Sequence, residues 1–179
     1  MPDPLHPAVV HFPIVLVVLV PIFAVGSILA IRRGAHTARA WGVTTAMVAA
    51  LAASAWLAVE TGEAEEERVE EVVSERVLHD HEEAAETFLL MTAITLLVAS
   101  AGFAPGRAGG VARMLTAIGA VALLGTGLTV GRSGGELVYR HGAASAYTNT
   151  RAADADATVE RDPRRADEAD VGERDEHED

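Results

Sequence analysis

The chain has 179 residues, of which 50 % are hydrophobic and only 4 % aromatic, and its formal net charge is -12. This composition is unusual for one water-soluble domain. The absence of cysteine excludes a disulfide framework, a thiolate metal site, a cysteine nucleophile and iron-sulfur ligation by this chain alone. The sequence also contains no phosphate loop, no nucleophile paired with a base and no basic surface for nucleic acid.

Four apolar blocks predict four transmembrane helices, because each is close to the ~20 residues that cross a hydrocarbon layer of roughly 30 Å. We place the spans at about 12–31, 40–59, 84–103 and 111–131, within a membrane domain of residues 1–147. A backbone in lipid must satisfy its own hydrogen bonds, so blocks of this length rich in Ala, Leu and Val indicate helices rather than barrel strands. A soluble bundle would show a polar stripe at a 3.6-residue period, which these blocks lack. The predicted fold class is therefore all-α, an integral membrane four-helix bundle.

The arginines of two loops predict the orientation of the bundle. The loops after the first and third spans contain five arginines and no acidic residue: Arg32, Arg33, Arg39, Arg107 and Arg113. By the positive-inside rule both loops face the cytoplasm, which places the N- and C-termini on the extracytoplasmic side of the cell membrane. All 26 acidic residues fall on that same side. Arg132 and Arg140, just beyond the fourth span, count against this orientation.

Two further stretches lie outside the spans. In residues 63–83, valines and a leucine recur at helical spacing among glutamates, which predicts an extracytoplasmic amphipathic helix, with Thr61 and Gly62 as the break before it. This helix would either cover the outer ends of the spans or extend the third helix outward. Residues 148–179 have the composition of a disordered acidic tail. All 14 basic residues are arginine, and this pattern with an acidic surface is typical of a halophilic organism. A bacterium of high GC content is the alternative.

Histidines are the main candidates for chemistry. Five of them are expected at the extracytoplasmic face: His6, His11, His79, His81 and His141. Helix bundles build cofactor and metal sites from side chains on separate helices. Histidines from distant segments at one end of the bundle therefore indicate a candidate cofactor or metal site. On a regular helix His79 and His81 diverge by about 200°. His6 and His11 would diverge by about 140°, unless Pro7 and Pro13 make the start of the first span irregular and let both rings point inward.

Several motifs together resemble a known family. They are LHPAVVHFPIVL at the start, TG after the second span, a histidine opening the third, and GGELVYRHG after the fourth. Over roughly residues 4–143 the chain resembles the four-span membrane proteins catalogued as domain of unknown function 2231. The matching residues are His6, Pro7, His11, Phe12, Pro13, Gly62, His81, Gly135, Leu137, Tyr139, His141 and Gly142.

The resemblance implies a predicted membrane protein without assigned activity. Some relatives carry an attached Rieske iron-sulfur domain, which implies a redox partner such as a Rieske-type protein. His79 and the acidic stretch are peculiar to this chain.

The first functional hypothesis is a protein that binds haem b and acts in membrane electron transfer. A b-type haem takes two axial imidazoles from facing helices, with each ring held by a further hydrogen-bond partner. We expect His11 and His81 to be this pair, with His6 and His141 further out. Arg140 or Arg132 would then be placed to meet a haem propionate or a quinone oxygen.

Two alternatives remain open from the sequence. One is an extracytoplasmic site for a transition metal, in which His79, Glu83 and Glu86 share one helix face at positions i, i+4 and i+7. The other is a membrane scaffold or subunit without a cofactor, whose histidines form only structural hydrogen bonds. A stand-alone enzyme is not expected. The lipid bilayer is the one certain partner, and the sequence leaves the oligomeric state open.

The predicted orientation is testable because the chain has no cysteine of its own. A single cysteine at Glu71, between the second and third spans, should react with a membrane-impermeant maleimide on intact cells. One at Ala35, after the first span, should react only after lysis. The reverse pattern would contradict the orientation.

Overall fold

The computed structural model describes residues 5–147, and its helices confirm the predicted fold class. Four helices are long and apolar enough to cross a membrane, with α1 and α2 together making the first. No strand occurs within the described range. The predicted disordered tail, 148–179, lies outside the described residues. The six helices in chain order are α1 His6–Val9, α2 His11–Arg32, α3 Thr37–Glu63, α4 Glu66–Glu70, α5 Glu75–Ala101 and α6 Gly106–Tyr139.

The chain divides into two compact units, with the boundary after Ala143. The first contains all six of these helices. The second begins at Ala144, and its described part, to Tyr147, is one short helical turn.

Short turns make the long helices antiparallel to their neighbours in the chain. After α2, Gly34 adopts a φ of 95°, a left-handed conformation that glycine reaches without a steric penalty. Between α5 and α6, Pro105 takes an extended conformation at the residue before α6. Both turns lie at one end of the bundle, which we call the arginine end. At the opposite end, the histidine end, α2 and α5 begin and α3 and α6 finish.

The long helices pack as a ring of four. α2 contacts α3 and α6, and α5 contacts the same two helices. Their shared core draws on all four: Val17, Val20, Val48, Leu51, Ala55, Phe88, Ala120 and Leu123. Many large apolar side chains instead face outward, such as Leu97, which is 72 % exposed. That outer surface suits a bundle surrounded by acyl chains.

Small residues let these helices approach closely. A Cβ at Gly127 of α6 would lie 3.3 Å from Phe88 of α5 and 3.5 Å from Val17 of α2. At the arginine end, fully buried Trp41 donates its Nε1–H to the carbonyl of Ala99 at 2.8 Å. A buried indole N–H needs such an acceptor, so this bond fixes α3 against α5 where water is absent.

The predicted amphipathic helix over 63–83 is wrong as a single element. α3 continues without a break through Thr61 and Gly62 to Glu63, and within it the Thr61 hydroxyl bonds back to the Leu57 carbonyl at 2.8 Å. The rest divides between α4 and the first turns of α5, which start after Ser74 in an extended conformation. Three apolar side chains of this segment, Val69, Val73 and Leu78, are buried as their spacing predicted, whereas Val72 is exposed and Val77 is partly buried.

Replacing Gly102 with alanine should destabilise the arginine end. Its new Cβ would overlap Nε1 of Trp41 and lie 2.8 Å from the Ala99 carbonyl oxygen, the two atoms of the tether. We expect the free energy of unfolding in detergent to fall by about 1–3 kcal/mol, the usual cost of overpacking. Circular dichroism during thermal unfolding measures it.

Gly110→Ala is the matched control, because no atom lies within 4 Å of its Cβ position in α6. It should leave stability unchanged or raise it by up to about 1 kcal/mol through helix propensity. Equal losses for the two variants would refute the packing argument.

Candidate functional site

His6 is held at the histidine end by the last turns of α3. Its ring Nδ1 lies 2.8 Å from the carbonyl oxygen of Ala58 and 3.3 Å from the Thr61 hydroxyl. A carbonyl oxygen can only accept, so Nδ1 of His6 carries the proton and donates it. In the neutral ring Nε2 is then left with its lone pair, the form in which imidazole binds a metal.

The backbone around His6 is fixed as well. One carboxylate oxygen of Glu65 accepts the N–H of Leu5 at 2.9 Å and the N–H of His6 at 3.2 Å. These are donors at the start of α1 that the helix itself cannot satisfy. Gly62 provides the space for the ring, since a Cβ there would lie 3.3 Å from Cε1 of His6. The position of His6 therefore depends on the segment that follows the second span.

His81 is held in a parallel way between α5 and α6. Its Nδ1 lies 2.8 Å from the hydroxyl of Ser133, and this hydroxyl donates to the carbonyl of Val130 at 3.0 Å. Because the single hydroxyl proton is directed at Val130, the Ser133 oxygen accepts from Nδ1–H of His81. Gly134 lies against the ring, with its Cβ position 3.1 Å from Cε1 of His81.

The two histidines thus form a pair with the same tautomer. Each ring is anchored through Nδ1–H to a neighbouring helix and keeps Nε2 without a hydrogen bond among the described residues. Both rings are partly buried, and His6 lies within Coulombic range of His81. Anchoring one ring nitrogen so that the other is free is how proteins orient imidazole ligands. Chemically, the pair can accept hydrogen bonds or supply two nitrogen ligands.

His11, expected to face His81, is exposed instead. The backbone stays helical at Val10, between α1 and α2, where φ is -60° and ψ is -20°. Five residues of regular helix rotate the side chain by about 140°, so His6 and His11 diverge. Pro7 and Pro13 occupy the helix start without making it irregular enough to bring both rings inward.

The other predicted cofactor residues lie after the end of the last helix. His141 is exposed and follows α6, held through its backbone N–H to the Glu136 carbonyl at 3.2 Å. Arg140 is exposed and pairs with the Glu136 carboxylate at 3.3 Å. A pair of this kind in water contributes little to stability.

The predicted metal residues are dispersed along the outside of α5. His79, Glu83 and Glu86 are all exposed. The closest acidic partner of His79 is Glu82, with Nδ1 and Oε2 4.0 Å apart. Within residues 5–147, no three His, Asp or Glu side chains are grouped closely enough to hold a metal ion.

Sequence reasoning missed the residues that hold the pair: Ala58, Glu65, Ser133 and Gly134. A carbonyl acceptor such as that of Ala58 leaves no trace in a sequence. Ser133 and Gly134 had a weak signal, because a small polar residue followed by two glycines inside a helix often marks a close approach by another helix.

The architecture defines the class of protein: a multi-pass helical membrane protein with four membrane-spanning helices and a pair of oriented imidazoles at one end. The chain belongs to the family described as predicted membrane protein (DUF2231), whose model matches residues 2–146. No curated protein and no solved structure matches the chain. The family therefore identifies a membrane protein of unknown function.

Removal of the Ser133 hydroxyl should free the His81 ring. Ser133→Ala deletes the acceptor of Nδ1–H, so we expect the free energy of unfolding to fall by about 1 kcal/mol, the usual net value of one hydrogen bond. Nitrogen-15 NMR of the imidazole should show a mixture of tautomers in place of one.

Ser100→Ala is the control for this change. The Ser100 hydroxyl is exposed and bonds only within its own helix, to the Leu96 carbonyl at 2.9 Å. This variant should change stability by less than about 0.5 kcal/mol. A single unchanged His81 tautomer in Ser133→Ala would contradict the assignment.

Proposed function

We propose that this chain is a membrane haem protein in which the Nε2 atoms of His6 and His81 would hold a b-type haem. One observation carries the proposal: both rings are anchored through Nδ1–H, which leaves two Nε2 lone pairs available at the same end of the bundle. The pair differs from the sequence-based expectation only in using His6 where His11 was expected.

The number of protein ligands favours haem over a bare metal ion. A zinc site draws three or more ligands from the protein, and the described residues offer no such group. Haem iron takes four nitrogens from its own macrocycle and needs only two from the protein. Two imidazoles without a third protein ligand are therefore the donor set that a b-type haem requires.

The anchors would tune the bound iron as well as orient the rings. Nδ1 of His6 donates to a carbonyl oxygen, whereas Nδ1 of His81 donates to a hydroxyl that is itself donating. Acceptors of this kind raise the basicity of the ligating nitrogen and set the ring plane. The haem would supply one-electron chemistry, and this chain would position the haem and set its reduction potential.

The proposed setting is the extracytoplasmic face of the cell membrane. The arginine loops support this orientation, because they lie at the end of the bundle opposite the two histidines. A Rieske-type protein is the redox partner that the family resemblance implies, and electrons would pass between the two at this face.

The absorption spectrum of the full chain tests the proposal. Protein expressed with haem supplied and purified in detergent should show a Soret band, with the spectrum of two axial imidazoles on reduction. His6→Ala and His81→Ala should each lower haem occupancy at least roughly tenfold, since even the partners of ligating residues change metal affinity by roughly 10–100-fold. Added imidazole should restore part of the spectrum, because it replaces the missing ligand.

His11→Ala and His79→Ala are the controls, as both side chains are exposed. They should keep full haem occupancy. A colourless wild-type protein would refute haem binding altogether. Loss of haem in His11→Ala together with retention in His6→Ala would instead restore the pair expected from the sequence.

A further inference from the structure

The last helix extends well past the hydrocarbon layer. Its uncharged stretch, residues 114–131, is about 27 Å long at ~1.5 Å per residue, close to the roughly 30 Å of a hydrocarbon core. Arg132 therefore lies at the boundary of this layer. The helix continues to Tyr139, ~10 Å further along its axis, through the depth occupied by lipid headgroups.

An open, shallow depression on one face of α6, which we call the groove, lies at this depth. It has a volume of about 520 Å³ and is lined by Gly131, Arg132, Gly135, Glu136, Tyr139 and Arg140. The two glycines form its floor: no atom lies within 4 Å of a Cβ position at either. The Tyr139 side chain is 89 % exposed, which suits an aromatic ring at the membrane interface.

The charges of the groove favour an anion. Arg140 is paired with Glu136 at 3.3 Å, whereas Arg132 makes no ion pair or hydrogen bond with any described residue. Two arginines and one glutamate leave the lining with one excess positive charge. Glu136 lies four residues from each arginine along the same ridge of the helix and pairs with Arg140, so Arg132 is the guanidinium that remains available to a group seated over Gly131 and Gly135. The guanidinium fork matches phosphate oxygens in geometry as well as in charge.

We infer that this groove binds an acidic phospholipid, with the headgroup phosphate on Arg132 and the lipid body over the glycines. Lipid phosphates are the anions found at the depth of Arg132. A headgroup with no cation of its own complements the excess charge better than a choline headgroup does. The inference is independent of haem, because it uses neither histidine of the pair.

Native mass spectrometry of the full chain tests the inference. The protein is purified in detergent, mixed with equal amounts of phosphatidylglycerol and phosphatidylcholine, and its bound lipids are counted. We expect phosphatidylglycerol to be retained preferentially. Arg132→Gln should lower this preference roughly tenfold, as expected for loss of a charged hydrogen bond. Glu136→Gln should raise it, because the one negative charge of the groove is removed.

Arg107→Gln is the matched control: Arg107 is an exposed arginine of the same helix at its other end. It should leave the preference unchanged. Equal retention of the two lipids by the wild type, or an equal effect of Arg107→Gln, would overturn the inference.

Two further outcomes would indicate an occupant other than a lipid. Inorganic phosphate that displaces phosphatidylglycerol at equal concentration would indicate a site for free phosphate. A doubled mass that disappears in Gly135→Leu and persists in Arg132→Gln would assign the groove to a second copy of this chain. Either result would replace the lipid as the occupant.

Discussion

The structure depends first on the need of a backbone in hydrocarbon to satisfy its own hydrogen bonds. Only uninterrupted helices meet this need in a chain of this composition, and the long helices follow from it. Two fully buried hydroxyls are also satisfied within their own helix: those of Thr92 and Thr116 each bond to the carbonyl four residues back. Short turns then make neighbouring helices antiparallel, so segments distant in sequence meet at each end.

Among residues 5–147, most polar side chains that bridge helices lie near the two ends, although Thr44 of α3 reaches Ser27 and the Phe23 carbonyl of α2 further in. The bridges at the two ends do different things. At the arginine end, Trp41 and the Ala99 carbonyl form a closed bond that leaves no ligand atom available. At the histidine end, His6 and His81 are tethered in the same manner but through only one nitrogen each. An imidazole has a second nitrogen where an indole does not. That difference separates a purely structural tether from one that also presents a ligand.

Glycines serve both proposals through the space they leave. Gly62 and Gly134 lie against the two imidazoles, so larger residues there would displace the rings. Gly131 and Gly135 face open space and form the floor of the groove on α6. The glycines between residues 131 and 135 thus lie on two faces of α6: Gly134 faces His81, and Gly131 and Gly135 face the outside of the bundle. The helix-propensity cost of Gly134 is offset by the close approach of the His81 ring.

The amino-acid sequence by itself determined that the chain is helical, that it crosses the membrane four times and that it belongs to its family. Block length and hydropathy decide the first two, because the bilayer thickness and the backbone requirement leave no other solution. The motifs around His6, His81 and the final glycines decide the third. His6 and His81 were among the predicted candidates, although His11 was ranked before His6.

Only the tertiary structure decided which histidines face inward and what holds them. A soluble helix reveals its inner face through its apolar stripe, but a membrane helix is apolar on every side. Its rotation about its own axis is set by close packing against its neighbours. The contact of His81 with Ser133, 52 residues away, depends on that rotation in two helices at once. The sequence has no periodicity from which such a rotation could be read.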